Sequence, residues 1–134
     1  MEIESFIKKQ AKLRIFKIKN PEKTEKQKQK YSLPVEVRIK KLKEEGDIKI
    51  FLVDGDKVRN AIDIDFTMGG HGCRYIYIPL DEVWIDASNE SEKEEVIIHE
   101  LTELGLMKQG INYNKAHDLA NIEEYKLRTK DNFG

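Results

Sequence analysis

Ser91-Glu-Lys-Glu-Glu-Val-Ile-Ile-His99-Glu100-Leu-Thr-Glu103-Leu-Gly-Leu-Met107 is the stretch on which the reading of this chain turns. Val96, Ile97, Leu101 and Leu104 recur at helical spacing, so the stretch reads as one helix running to about Met107. Ser91 and Glu94 fit the Ser-x-x-Glu capping box, which makes Ser91 the expected N-cap. Gly110 supplies a stop, and Asn114 is the expected cap of a second helix over residues 115–128. Packed together, the two helices form a hairpin.

Upstream, the hydrophobic period changes from helical to alternating. Residues 48–53 read as a strand, and Asp54-Gly55-Asp56 as a turn. Residues 57–62 suit a short helix. Residues 62–66 alternate strictly, which predicts a half-buried strand. Gly69, Gly70 and Gly72 around His71 predict a flexible loop without phosphate-binding character, because no helix start follows them. Residues 74–78, broken by Pro79, and residues 82–86 read as two more strands. Tyr75, Tyr77 and Trp84 read as core or sheet-face residues. Nearer the start, residues 13–19 alternate apolar and charged like a strand, and residues 20–30 carry too little apolar surface to bury. Residues 35–45 read as a strand followed by a helical turn ended by Gly46. The expected fold class is α+β: a small antiparallel or mixed sheet packed on a C-terminal helical hairpin. Residues 1–47 form a basic, partly flexible accessory segment in this reading, and residues 48–134 form the core.

Composition bounds the function classes. The 134 residues suit one domain. Apolar residues make up 39% and charged residues 37%, with a net charge of -1. That near-zero total hides two opposite halves. Residues 1–60 carry 17 basic and 10 acidic side chains, a net of +7; residues 61–134 carry 7 and 15, a net of -8. The single cysteine, Cys73, excludes a disulfide framework and a four-cysteine zinc site, and reads as a small buried side chain. No apolar run approaches the roughly 18 residues a membrane span needs. Acids near the N-terminus do not suit a secretory leader, so the cytoplasm is the expected compartment. Of the 24 basic residues 19 are lysine, and glutamate is also frequent, which suggests a thermophilic source.

The chemistry concentrates on the first of the two helices. His99 and Glu103, four residues apart, lie on one helix face and can point at one metal ion. Glu100, about 100° further round, can reach a water beside that metal. This is the spacing of the His-Glu-x-x-His zinc motif, with Glu103 in the place of the second histidine. Zinc accepts carboxylate oxygen as well as imidazole nitrogen. His117, about one turn into the second helix, is the expected third ligand, and shares a face with Asn121 and Glu124. His71 is the other candidate, as a fourth ligand or as a donor to the oxyanion of a tetrahedral intermediate. Zinc is the expected cofactor, and two imidazoles with one carboxylate also suit Fe(II) or another divalent ion.

The sheet, the helix bearing His99 and Glu100, and the second helix together resemble zincin-type metallopeptidases, in particular minimal single-domain archaeal relatives of the gluzincin group. The resemblance covers roughly residues 75–125. It departs from that pattern at Glu103, where a histidine is usual, and at His117, where a glutamate is usual. It implies a zinc-dependent hydrolase of peptide bonds with Glu100 as general base, a peptide or protein substrate, and residues 82–86 as the edge strand beside which substrate lies.

Other readings compete. His99 and Glu103 also suit a plain hydrogen-bonded pair on a charged helix. A metal-dependent phosphohydrolase of the HD type would draw on His99, His117, Asp118 and Asp131, but HD domains are all-helical. A non-catalytic binding module would use the basic half, including the lysines of residues 23–30, to contact nucleic acid or an acidic partner. The same half would also suit a latency element covering an acidic cleft.

Overall fold

A computed structural model describes residues 32–133. The expectations for residues 13–19 and 20–30, including the lysine run and any covering segment, lie outside these residues. Strands β1 (Arg38–Glu45), β2 (Ile48–Val53), β3 (Gly69–His71) and β4 (Glu82–Asp86) form one mixed sheet in the order β1-β2-β4-β3. Helix α1 (Gly55–Ala61) follows β2. A 3-10 helix (Ala87–Glu92) leads from β4 into α2 (Lys93–Lys108), and α3 (Tyr113–Phe133) closes the described chain. The protein is therefore α+β, with the helical hairpin α2–α3 packed on the sheet.

Strands β1 and β2 form an antiparallel hairpin through Gly46. Strand β2 runs parallel to β4, and β3 runs antiparallel to β4 with Gly70 opposite Trp84. Every residue of β4 is buried, because this strand lies inside the sheet with both faces covered. Alternation then sorts its side chains. Val83 and Ile85 join Ile50, Leu52, Val96, Ile97, Leu104 and Met107 in a core beneath the hairpin. Trp84 joins Val53, Val58, Phe66, Tyr77 and Ile78 in a second core on the opposite face. The acids flanking Trp84 are neutralised where they lie: Glu82 accepts from Arg38 Nε at 2.9 Å and from the Trp84 indole at 2.8 Å, and Asp86 accepts from Arg59 Nη1 at 2.9 Å.

Several local expectations are corrected. Residues 62–66 are not a strand. Asp63 organises them as a turn, accepting from the backbone N–H of Asp65 on its side chain and from that of Phe66 on its carbonyl. Ile64 faces solvent as a result. Residues 74–78 are also turns: the N–H groups of Arg74 and Tyr75 both donate to His71 O. Consecutive residues Tyr77 and Ile78 both enter the second core, which an extended strand would not allow. Residues 69–71, expected as a loop, are strand β3. They need glycine for close approach, since a Cβ on Gly69 would lie 2.8 Å from Trp84 O and one on Gly70 would lie 2.7 Å from the Tyr75 ring. Strand β3 is the edge strand beside α2, so residues 82–86 cannot serve as that edge. Residues 38–45 are strand throughout, without the expected helical turn.

The helix caps also move. Ser91 lies within the 3-10 helix and caps nothing; α2 begins after Glu92 with no side-chain cap. The chain turns helical as soon as it leaves β4, so the capping side chain is Asp86, which accepts from Ser88 N. Gly110 ends the hairpin's first helix at φ 101, a conformation that favours glycine. Helix α3 starts at Tyr113, and Asn112 rather than Asn114 caps it, accepting from Lys115 N at 2.8 Å.

Candidate metal centre

Helix α2 carries His99, Glu100 and Glu103 on the side that faces α3 and β3, and all three are buried. Glu103 is the hub. Its Oε1 lies 2.8 Å from His71 Nε2, and its Oε2 lies 2.8 Å from His117 Nδ1 and 3.3 Å from His99 Nε2. The hairpin places His117 here because both residues sit near the Gly110 turn. The His99 and His117 rings meet edge to face, with centroids 4.9 Å apart.

His99, Glu103 and His117 each offer one ligand atom, and these atoms lie within 4.8 Å of one another. This grouping can hold a metal ion. Tetrahedral zinc with bonds of about 2.0–2.1 Å sets its ligand atoms roughly 3.3 Å apart, close to the separations that converge on Glu103 Oε2. The other ring nitrogen of His99 takes no part in this convergence. His99 Nδ1 is buried with no hydrogen-bond partner. Glu124 Oε1 is 2.9 Å from that nitrogen but off the line that a hydrogen bond needs. His71, Glu100 and Glu103 form another such grouping among the described residues. His71, however, is already engaged on both sides. Its Nδ1 accepts from the Cys73 N–H at 3.2 Å, which leaves the ring proton on Nε2, donated to Glu103.

Burial sets what His71 can reach in this arrangement. Its side chain has no exposure, so it presents no face to a substrate oxyanion. With Nε2 protonated it offers no lone pair to a metal. The ring instead fixes the orientation of the Glu103 carboxylate. Cys73 is buried, as expected, and its contribution is a backbone N–H.

The electrostatics follow from two carboxylates sharing one buried site. Burial, and then the Glu103 charge, push the Glu100 carboxyl up to about 8. Burial alone would raise Glu103 as well, but hydrogen bonds from His71 and His99 outweigh it and hold Glu103 well below the usual carboxylate range. Burial keeps His71 below the usual imidazole range, so its bond to Glu103 is that of a neutral ring. Burial also opposes charge on His99, but the Glu103 hydrogen bond and the charges of Glu100, Glu103 and Glu124 raise it overall.

No family model, curated protein or solved structure matches the chain.

A cavity of about 230 Å³ opens over this cluster. His99, Glu100, Glu103 and His117 line it, and so do Arg74, Tyr75, Tyr113 and Glu124. Tyr113 stacks on His117, and burial pushes its phenol up to about 12. Sequence reasoning brought together the three expected ligands and Glu100, and placed Glu124 on the face of His117. It missed Tyr113, although a position four before His117 carries that signal. It also missed Arg74, for which local spacing gives no signal. Asp118 is exposed and does not line the cavity, so the HD-type ligand set does not assemble at this site. Trp84 and Tyr77 are core residues. No helix among the described residues is long and apolar enough to cross a membrane.

Proposed function

We propose that this chain is a metal-dependent hydrolase of amide bonds, a small zincin-like peptidase. In this reading His99, Glu103 and His117 hold zinc and Glu100 is the general base. The observation that carries it is the convergence of His99 Nε2 and His117 Nδ1 on one oxygen of Glu103, inside a cavity that Glu100 also lines. A bound zinc ion would supply Lewis-acid polarisation of a carbonyl and would acidify water in the site.

The chain's own residues do the rest. Glu100 lines the cavity next to the ligand pair, where it takes a proton from the attacking water and returns it to the leaving amine nitrogen. Metal-free Glu100 holds its proton at neutral pH; a divalent cation nearby favours its carboxylate form and readies it to accept one. His71 is a positioning residue: its Nε2–H holds Glu103 Oε1, which turns Oε2 toward His99 and His117.

Metal analysis of protein purified without added metal tests the reading. About one zinc per chain is expected, and no metal or two metals would overturn it. His99→Ala should lose the metal. Glu100→Gln should keep it and lose cleavage of casein; unchanged cleavage would refute the general-base role. A parallel phosphodiesterase assay should be negative.

A further inference from the structure

We propose that Arg74 is the anion-binding group of this cleft, and that the substrate presents a carboxylate to it beside the bond to be cut. The inference rests on the metal-dependent hydrolase reading and names the class of substrate. Among the described residues Arg74 is the only lysine or arginine lining the cavity, where it faces Glu100, Glu103 and Glu124. The other described arginines, Arg38, Arg59 and Arg128, each hold a carboxylate of the fold. Arg74 lies instead against aromatic rings, its guanidinium carbon 3.9 Å from the Tyr113 centroid and 5.6 Å from that of Tyr75.

This arrangement immobilises the guanidinium without saturating it. Stacking uses the faces of the planar group, and one N–H donates to the Tyr75 hydroxyl, which leaves the other N–H groups along its edge. The backbone is held as well, since Arg74 N donates to His71 O at 3.2 Å in the turn after β3. A fixed guanidinium edge matches the two oxygens of a carboxylate. Once the metal is taken up by the scissile carbonyl, Arg74 is the one lysine or arginine of this lining left to receive an anionic substrate group. At about 230 Å³ the cavity is smaller than the roughly 300–1,000 Å³ of ordinary small-molecule pockets. Arg74 and Glu100 share this small cleft, which puts a carboxylate held by Arg74 close to the scissile carbonyl. A free C-terminal carboxylate and an acidic side chain both have this chemistry.

Cobalt-substituted protein gives the test, because thiolate binding to cobalt changes its visible spectrum and needs no turnover. The probes are 3-mercaptopropanoic acid and its neutral amide. A charge-assisted hydrogen-bond pair predicts a preference for the acid of about tenfold or more. Arg74→Gln should still bind cobalt and should lose the preference; Arg74→Lys should retain it in weakened form. Equal binding of the two probes by the native chain overturns the proposal, as does a preference that survives in Arg74→Gln. If Arg74→Gln weakens both probes equally, Arg74 only supports the rings and the proposal fails. Failure to bind cobalt at all would sink the underlying metal reading, and this proposal with it. Competition by N-acetylated alanyl-alanine against its C-terminal amide, and by N-acetylglutamate amide against N-acetylglutamine amide, then assigns the carboxylate. Displacement by the first acid identifies a C-terminal group, and displacement by the second an acidic side chain.

Discussion

His71 separates orientation of the proposed metal site from ordinary structural support, because its two ring nitrogens do different work. Nδ1 accepts from the Cys73 N–H, and Nε2 donates to Glu103 Oε1. Two substitutions divide these roles. His71→Asn places an amide oxygen near the Nδ1 position, so it keeps the Cys73 bond and loses the donor to Glu103. The longer amide of His71→Gln reaches the Nε2 position, keeping that donor and losing the Cys73 partner. Each variant gives up one buried hydrogen bond, a cost of about 1–3 kcal/mol. For a domain of this size each kcal/mol lowers Tm by roughly 3–4 °C, so the two should melt at similarly reduced temperatures. Zinc affinity should not fall in parallel. Loss of the group that orients a metal ligand typically costs about 10–100-fold in affinity. His71→Asn should show that loss, and His71→Gln should stay within about threefold of the native chain. Competition with a chromogenic chelator measures the affinity, and circular dichroism measures the melt. Native zinc affinity in His71→Asn, or equal weakening in both variants, would refute the orienting role.

Three further outcomes follow from the same packing. Gly69→Ala should destabilise the chain by about 1–3 kcal/mol in urea titrations, because the added Cβ meets Trp84 O and Val96 at 2.8 and 2.9 Å. Arg38→Met should cost about 2–4 kcal/mol in the same titrations by leaving the buried Glu82 carboxylate with the Trp84 indole as donor; a neutral effect would contradict the pairing. In chelator-treated protein Glu100 binds its proton more tightly folded than unfolded, since burial and Glu103 push it up to about 8. Its contribution to stability is therefore fully present below about pH 4.5 and is lost as pH rises toward 8. Glu100→Gln should flatten that part of the pH–stability curve, and an unchanged slope would assign it elsewhere.

Physical range decides which features the sequence exposes. Residues 82–86 and 48–53 were legible as strands because their apolar side chains exceed what a turn can bury. Residues 62–66 alternate strictly and residues 74–78 are rich in strand-forming side chains, yet both form turns. In the first, Asp63 offers the backbone hydrogen bonds that a strand would need a neighbour to supply. In the second, Gly72 sits where a Cβ would collide with Pro79 O, so the segment folds back on residues 79–80 instead of extending. Residues 69–71 read as a loop from their glycines, yet those glycines are what lets β3 pack beneath α2 and against Tyr75.

The candidate site divides along the same line. The sequence alone determined that His99, Glu100 and Glu103 share a helix, with His99 and Glu103 on one face. It also determined that a turn at Gly110 could return His117 to their level. Those statements depend only on the helix repeat and on a glycine stop, which act over a few residues. Tertiary structure decided that His71 is a buried donor to Glu103 and not a group facing substrate, because that role requires strand β3 to pair with β4 behind helix α2. It likewise decided that Arg74 stacks on Tyr113 at the mouth of the cavity. Residues 39 positions apart meet there because the sheet and the hairpin bring them together, and no local period in the chain records that meeting.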